Sequence, residues 1–180
     1  IFGDTYIDPE WSSLKDEVEK VVINEGVTNV GKHAFLLFSK LKDVKIASTV
    51  EIIDVAAFEE CTALTEITLP EGLKEFGEEA FYGCSSLTSI SIPENVTSLP
   101  GYIFQGCESL KHIDLGNVKE FGAQAFQYCG FETFEIPEGT KTLSENMFFS
   151  CRNIKYIEVP ASVEVVESGA FYYCEMDTIK

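Results

Sequence analysis

Residues 64–86 read LTEITLPEGLKEFGEEAFYGCSS, and residues 87–109 read LTSISIPENVTSLPGYIFQGCES. Each stretch opens with alternating apolar and polar residues, which are typical of a short strand. A turn follows with Gly72 or Asn95 in its third position, and both residue types tolerate a positive φ. A second apolar set ends in Phe and, three residues later, Cys. The chain therefore repeats a 23-residue unit that has one short strand and no room for a long helix.

The unit recurs along almost the whole chain. A Phe, usually preceded by Ala, marks each copy: Phe35, Phe58, Phe81, Phe104, Phe126, Phe148 and Phe171. All six cysteines lie three residues after such a Phe, and Phe38 takes this position in the first copy. We predict an N-terminal cap at 1–17, seven repeats at 18–40, 41–63, 64–86, 87–109, 110–130, 131–153 and 154–175, and the start of a truncated further repeat at 176–180.

A unit of this size cannot bury its apolar side alone, so neighbouring repeats are expected to stack. Stacking aligns the strand residues into two columns, Val21, Val44, Ile67, Ile90, Ile113, Phe134, Ile157 and Ile23, Ile46, Leu69, Ile92, Leu115, Ile136, Val159. Every member is apolar. The sequence therefore predicts a repeat solenoid in which short parallel strands around Ile67, Ile90, Ile113 and Phe134 line one concave face, with few or no long helices.

The pattern L-x-x-I-x-I-P-x-x-V-x-x-I-G-x-x-A-F-x-x-C-x-x resembles the BspA-like, or Treponema pallidum type, leucine-rich repeat over residues 18–180. The resemblance implies a right-handed superhelix in a secreted or surface-attached protein that adheres to host proteins or to other microbes. Repeats two and seven depart from the pattern because Thr49 and Ser162 replace the turn glycine. The fifth repeat is shortened at Gly116 and Asn117.

The net charge of −17, from 30 acidic and 13 basic residues, disfavours partners that carry phosphates. Nucleic acids and anionic membrane surfaces would be repelled, so neither is a predicted partner. No run of eighteen apolar residues occurs, and we predict no membrane insertion. The acidic residues are spread along the chain, as expected for an extended surface that must stay soluble.

No motif in the sequence predicts catalysis, a cofactor or a metal. The six cysteines share one column, where parallel side chains favour reduced, buried thiols; disulfides between neighbouring repeats are the alternative. No C-x-x-C pair, EF-hand loop, P-loop or dinucleotide fingerprint occurs. His112 and Asp114 could begin a triad, but no nucleophile elbow accompanies them. An enzyme or metal-dependent protein using His112, Asp114 and the cysteines is therefore the second alternative to a non-enzymatic protein.

The outward strand positions of the concave face are the predicted binding surface. One strip combines an aromatic anchor, an imidazole and acidic neighbours: His112, Asp114, Thr133, Glu135, Tyr156 and Glu158. We expect a protein or glycan ligand there, with host extracellular proteins among the candidates. The competing surface is the convex loops, with Tyr82, Tyr128, Tyr172 and Tyr173. A structural spacer within a longer cell-surface protein is the alternative function.

Overall fold

The structure, a computed structural model, describes residues 10–180. These residues form one 3-10 helix, Ser12–Leu14, and two series of short strands. The first ladder contains β1 (Lys20–Val22), β3 (Asp43–Lys45), β6 (Ser89–Ser91), β8 (His112–Asp114), β10 (Thr133–Glu135), β12 (Tyr156–Glu158) and β14 (Thr178–Ile179). The second ladder contains β2 (Asn29–Val30), β4 (Ile52–Ile53), β5 (Glu75–Phe76), β7 (Ser98–Leu99), β9 (Glu120–Phe121), β11 (Thr142–Leu143) and β13 (Val165–Val166).

Every strand pair is parallel, and the register follows the repeat. In the first ladder Val21 pairs with Val44, Ile90 with Ile113, and Phe134 with Ile157. The predicted solenoid of about seven turns is thus confirmed. The sequence pattern did not predict the second ladder, which forms where the second apolar set of each repeat turns inward.

The first ladder is interrupted in two places, and the strand predicted around Ile67 is absent. Residues 66–68, around Ile67, form no strand, and β8 and β10 do not pair with each other although their repeats are consecutive. The second gap has a cause in the sequence. His112 and Thr133 are 21 residues apart, whereas 23 residues separate the paired Ser89 and His112. The shortened fifth repeat is two residues too short for β8 to reach β10 in register, and we call this gap the seam.

A third side of the solenoid carries the segments around the marker Phe residues, and we call it the turn face. Three backbone hydrogen bonds join each such segment to the next, for example from the N–H groups of Ala56, Phe58 and Glu60 at 2.7–2.9 Å. The residues two before and two after each Phe have positive φ in all seven repeats, as at Ala56 (52°) and Glu60 (57°). This face continues across the seam, where the N–H of Phe126 donates to the carbonyl of Met147.

The core is a set of columns with the marker Phe rings at its centre. Neighbouring rings stack with centroids 5.3–6.0 Å apart and planes within 18° of parallel. The five central rings are fully buried, while Phe35 and Phe171 at the two ends are half-buried. Each stacked pair contributes about 0.5–1.5 kcal/mol beyond the burial of its area. The column therefore holds successive repeats together as well as filling each one.

At the N-terminal end, Trp11 lies against the first repeat. Its indole N–H donates to the Ala34 carbonyl at 2.6 Å, and its ring lies 6.3 Å from that of Phe35. Ile1, Phe2 and Tyr6 of the predicted cap lie outside the described residues. The boundaries of the cap and of the repeats stay predictions.

Replacing Gly77 should destabilise the fold, because its backbone lies directly against the preceding repeat. A Cβ there would lie 2.2 Å from the Val55 nitrogen. We expect Gly77→Ala to lower the free energy of unfolding by about 1–3 kcal/mol, as overpacking does. Gly31 is the matched control, since it has the same place in repeat 1 and an added Cβ would meet no described atom within 4 Å. Gly31→Ala should be neutral, and equal Tm values for the two variants by calorimetry would contradict the packing argument.

Thr140 should be a weak point in the core. Its hydroxyl is buried without a hydrogen-bond partner among residues 10–180, in a column that Val96, Val118 and Val163 fill elsewhere. A buried unpaired hydroxyl costs about 1–3 kcal/mol, so Thr140→Val should raise stability by about 1 kcal/mol or more in denaturant unfolding. Thr97→Val, on an exposed position, is the control. A loss of stability in Thr140→Val would mean that the hydroxyl has a partner.

Candidate functional site

All six residues of the predicted strip are exposed on the first ladder. They occupy β8, β10 and β12, whose central residues turn into the core and whose flanking residues therefore turn outward. Thr133 lies beside Tyr156, and Glu135 beside Glu158, in the β10–β12 register. The seam separates His112 and Asp114 from the other four.

A cleft of about 320 Å³ opens on this face at the seam. Its walls include four of the six predicted residues, His112, Asp114, Thr133 and Glu135, and its floor includes the half-buried Ile113. Tyr156 and Glu158 lie one strand further on, outside the cleft. Ser89, Ser91 and Lys111 also line the cleft and were not in the predicted strip. The alternation of β6 already placed Ser89 and Ser91 on the outward side, whereas for Lys111 the only signal in the sequence was the two-residue shortening of repeat 5.

One ion pair spans the seam. The Lys111 ammonium lies 3.0 Å from the Glu132 carboxylate, and both side chains are exposed. The hydrogen bond from Lys111 and its positive charge lower the pKa of Glu132. An exposed pair of this kind contributes little to stability. It still fixes the position of a positive charge at the rim of an otherwise acidic cleft.

Tyr156 and Glu158 form a second polar unit beside the cleft. The Tyr156 hydroxyl donates to Glu158 Oε2 at 2.9 Å, and the Lys180 ammonium lies 5.9 Å from the centre of the tyrosine ring. The hydrogen bond to Glu158 raises the pKa of Tyr156, because losing the proton would place two negative charges together. These two contacts hold the side chain of Tyr156, which keeps 39% of its surface exposed.

The geometry does not assemble the catalytic alternative. Asp114 Oδ1 accepts a hydrogen bond from the Gly116 N–H at 3.1 Å, so it closes the shortened turn. The cysteines lie in the core, on the other side of the strand from the exposed His112. Within residues 10–180, no three or more His, Cys, Asp or Glu side chains are grouped as metal ligands.

The cysteine column has a regular geometry. Each thiol donates to the carbonyl of the marker Phe in the preceding repeat at 3.0–3.3 Å, as Cys84 does to Phe58. Five of the six are buried and unpaired, and Cys174 is half-buried. Burial raises the pKa of Cys61 to about 12 and that of Cys84 well above its usual value. Because the thiolate is the reactive form, these groups are poor nucleophiles.

The turn face presents a second candidate surface near the C-terminal end. Tyr128, Tyr172 and Tyr173, three of the four predicted convex tyrosines, lie around Phe149 with ring centroids 5.3–5.8 Å from it. We call these four residues the aromatic patch. Tyr82 lies on repeat 3 and takes no part in it. Sequence reasoning missed Phe149, although the doublet Phe148-Phe149 parallels Phe171-Tyr172 one repeat later.

Comparison with known proteins identifies the class of repeat. The profile of the BspA type Leucine rich repeat region matches six copies over residues 12–130 and 74–180. The chain therefore belongs to the BspA-type leucine-rich repeat family. No protein with a curated function matches it. Among residues 10–180, no helix has the length and apolar character that crossing a membrane requires.

Solved structures share this architecture. A leucine-rich repeat protein of T. pallidum is 32% identical with a TM-score of 0.79, and the match covers 89% of this chain and 78% of that protein. A leucine-rich cell surface protein of Faecalibacterium prausnitzii is 24% identical with a TM-score of 0.60, covering 91% of this chain and 54% of that one. A leucine-rich repeat protein of Bacteroides ovatus is 24% identical with a TM-score of 0.58, and the match covers 90% of this chain and 55% of that protein. This chain thus spans little more than half of each of the last two proteins.

The thiol column can be tested directly. Under denaturing, non-reducing conditions we expect a thiol reagent to titrate six free thiols, because all six side chains donate S–H hydrogen bonds as reduced cysteines. In the native protein near neutral pH, Cys174 should react first and the five buried thiols far more slowly. A count near zero after unfolding would show that the column forms disulfides.

Proposed function

We propose that this chain is a non-enzymatic protein-interaction module of a surface-exposed or secreted protein, and that it binds its partner at the cleft on the concave face. The cleft at the seam carries this proposal, since four residues chosen for their outward positions line it together. Extended concave faces are the usual binding surfaces of solenoids. Relatives with this repeat include a cell surface protein, which supports the proposed location.

The charges of the strip favour a partner with a basic surface. Asp114, Glu135 and Glu158 are exposed there, and the nearby Lys111 is already paired with Glu132. Tyr156 supplies an aromatic anchor, which is a common centre of binding energy in protein interfaces. A partner that combines lysines or arginines with an apolar contact for this ring would complement the strip, and its binding should weaken as salt is added.

The test is surface plasmon resonance of the isolated domain against a panel of extracellular-matrix proteins, at low and at high ionic strength. For any protein that binds, Tyr156→Ala should weaken the affinity about tenfold or more. His112→Ala should weaken it as well. Both side chains face away from the core, so unfolding transitions should stay unchanged.

The matched control variants are Tyr128→Ala and Tyr172→Ala, which remove exposed tyrosines from the turn face. They should leave the affinity for the matrix protein unchanged. The reverse pattern, with loss only in the turn-face variants, would show that the concave assignment is wrong. If no panel protein binds, a spacer role is favoured. Antibody labelling of intact source cells would test the surface location in either case.

A further inference from the structure

The aromatic patch leaves three tyrosines largely exposed to solvent. Tyr128, Tyr172 and Tyr173 retain 44%, 57% and 59% of their surface exposed. Three ring contacts centre on Phe149, and Tyr172 and Tyr173 touch each other at 4.2 Å between centroids. The patch spans three consecutive repeats, so the rings are held by different segments of a rigid stack. They form a fixed aromatic surface.

The backbone under two of these rings is strained. Tyr128 and Tyr173 have φ of 59° and 60°, a conformation that suits glycine. Gly83 and Gly106 occupy the same place in repeats 3 and 4, with φ of 67° and 78°. In the other repeats this place is occupied by Leu37, Glu60 and Ser150. A bulky residue there costs stability, and rings that are about half exposed regain only part of that cost by packing. The fold imposes this positive φ in every repeat, so Tyr128 and Tyr173 are distinguished by the exposure of their rings, 44% and 59%, rather than by the backbone conformation itself.

A cleft of about 350 Å³ lies beside Tyr128. It is lined by polar and small residues, namely Glu108, Gly130, Ser150, Arg152 and Asn153. Arg152, the only arginine of the chain, donates from Nε to Ser150 Oγ at 3.1 Å, which holds its guanidinium at the rim. Glu108, Arg152 and Asn153, which have planar groups with several donors and acceptors, thus lie beside the ring of Tyr128. The volume is at the lower end for small-molecule sites, about 300–1,000 Å³.

We propose that the aromatic patch and this cleft bind a neutral oligosaccharide. The ring faces suit the C–H faces of pyranose sugars, while Arg152, Asn153 and Glu108 can hydrogen-bond to hydroxyl groups. This site is separate from the concave cleft and is a second binding function. The three tyrosines expose roughly 300 Å² between them. The patch is large enough for two or three sugar rings.

The charge balance selects a neutral saccharide. Arg152 and Glu108 offset each other in the cleft, and the chain as a whole carries a net charge of −17. A uronate, sulfate or sialic acid group would be repelled by the net negative charge of the chain. Among the described residues, Arg152 is the single cationic one lining the cleft that could pair with it. Neutral hexoses and their N-acetyl derivatives carry no such penalty.

The experiment is titration calorimetry of the protein with cellohexaose, mannohexaose, maltohexaose and chitohexaose, with hexagalacturonate as the charged arm. We expect at least one neutral hexasaccharide to bind with a Kd of about 1 mM or tighter, and hexagalacturonate not to bind. Tyr128→Gly and Tyr173→Gly should each weaken that binding about tenfold or more. Because both substitutions place glycine at positive φ, Tm should stay equal or rise. Tyr156→Ala, on the concave face, is the matched control and should bind the saccharide normally.

Several results would overturn the proposal. One is that no neutral hexasaccharide binds. If a matrix protein then loses affinity in Tyr128→Gly, the patch is a protein-binding site instead. Another is that saccharide binding is unchanged in both glycine variants, or is lost in Tyr156→Ala. Stronger binding of hexagalacturonate than of every neutral sugar would reject the neutral class. A failure of the matrix-protein screen with successful sugar binding would reject only the concave function.

Discussion

The three backbone hydrogen bonds that join each turn-face segment to the next fix the register on which the rest of the structure depends. They recur at every step from the Phe35 segment to the Phe171 segment. Positive φ at the residues two before and two after each marker accompanies this pattern throughout. Because the register is set there, the Phe rings must stack and the cysteines must fall in one column. The side chains fill positions that the backbone pairing has already aligned, so an in-register column of apolar residues follows from the turn face.

Since the turn face holds the repeats together, the two strand ladders can be interrupted without breaking the stack. Pro100 lacks the N–H that Gly77 and Gly122 donate to the preceding repeat at the same place, and the second ladder stops between β5 and β7. At the seam both ladders stop, and a Ser144 hydroxyl bond to the Phe121 carbonyl replaces the backbone bond. In this solenoid, each interruption of a strand ladder costs only a few backbone hydrogen bonds. The seam opens a cleft on the surface while the Phe column stays intact beneath it.

The sequence predicted the features that depend on apolar periodicity, because stacking makes burial repeat with the chain. The Phe, Cys and strand columns were read correctly for this reason, including the inward Ile90 and Phe134. The seam could not be predicted, since a deletion of two residues shows that a repeat is short but not whether the strands or the turn will absorb it. The difference between Gly31 and Gly77 is also absent from the pattern, because it depends on how closely two backbones approach. The candidate strip was predictable as a set of outward positions, whereas its division by the seam was not.

Stability gives a criterion for separating meaningful surface residues from the many that only keep this acidic solenoid hydrated. An outward Glu or Lys on a strand costs nothing, so its presence carries little information about function. Tyr128 and Tyr173 are different, because each presents a large exposed ring at a place with φ near 60°, where the glycines of repeats 3 and 4 adopt a positive φ without strain. Tyr156 carries no such strain, since tyrosine suits a strand, and its case rests on its exposure and its hydrogen bond to Glu158. In a repeat protein the comparison is internal, since each position is sampled once per repeat. Among the residues at positive φ, the exposed aromatic rings that contact a ring of a neighbouring repeat are therefore the ones that we propose for binding.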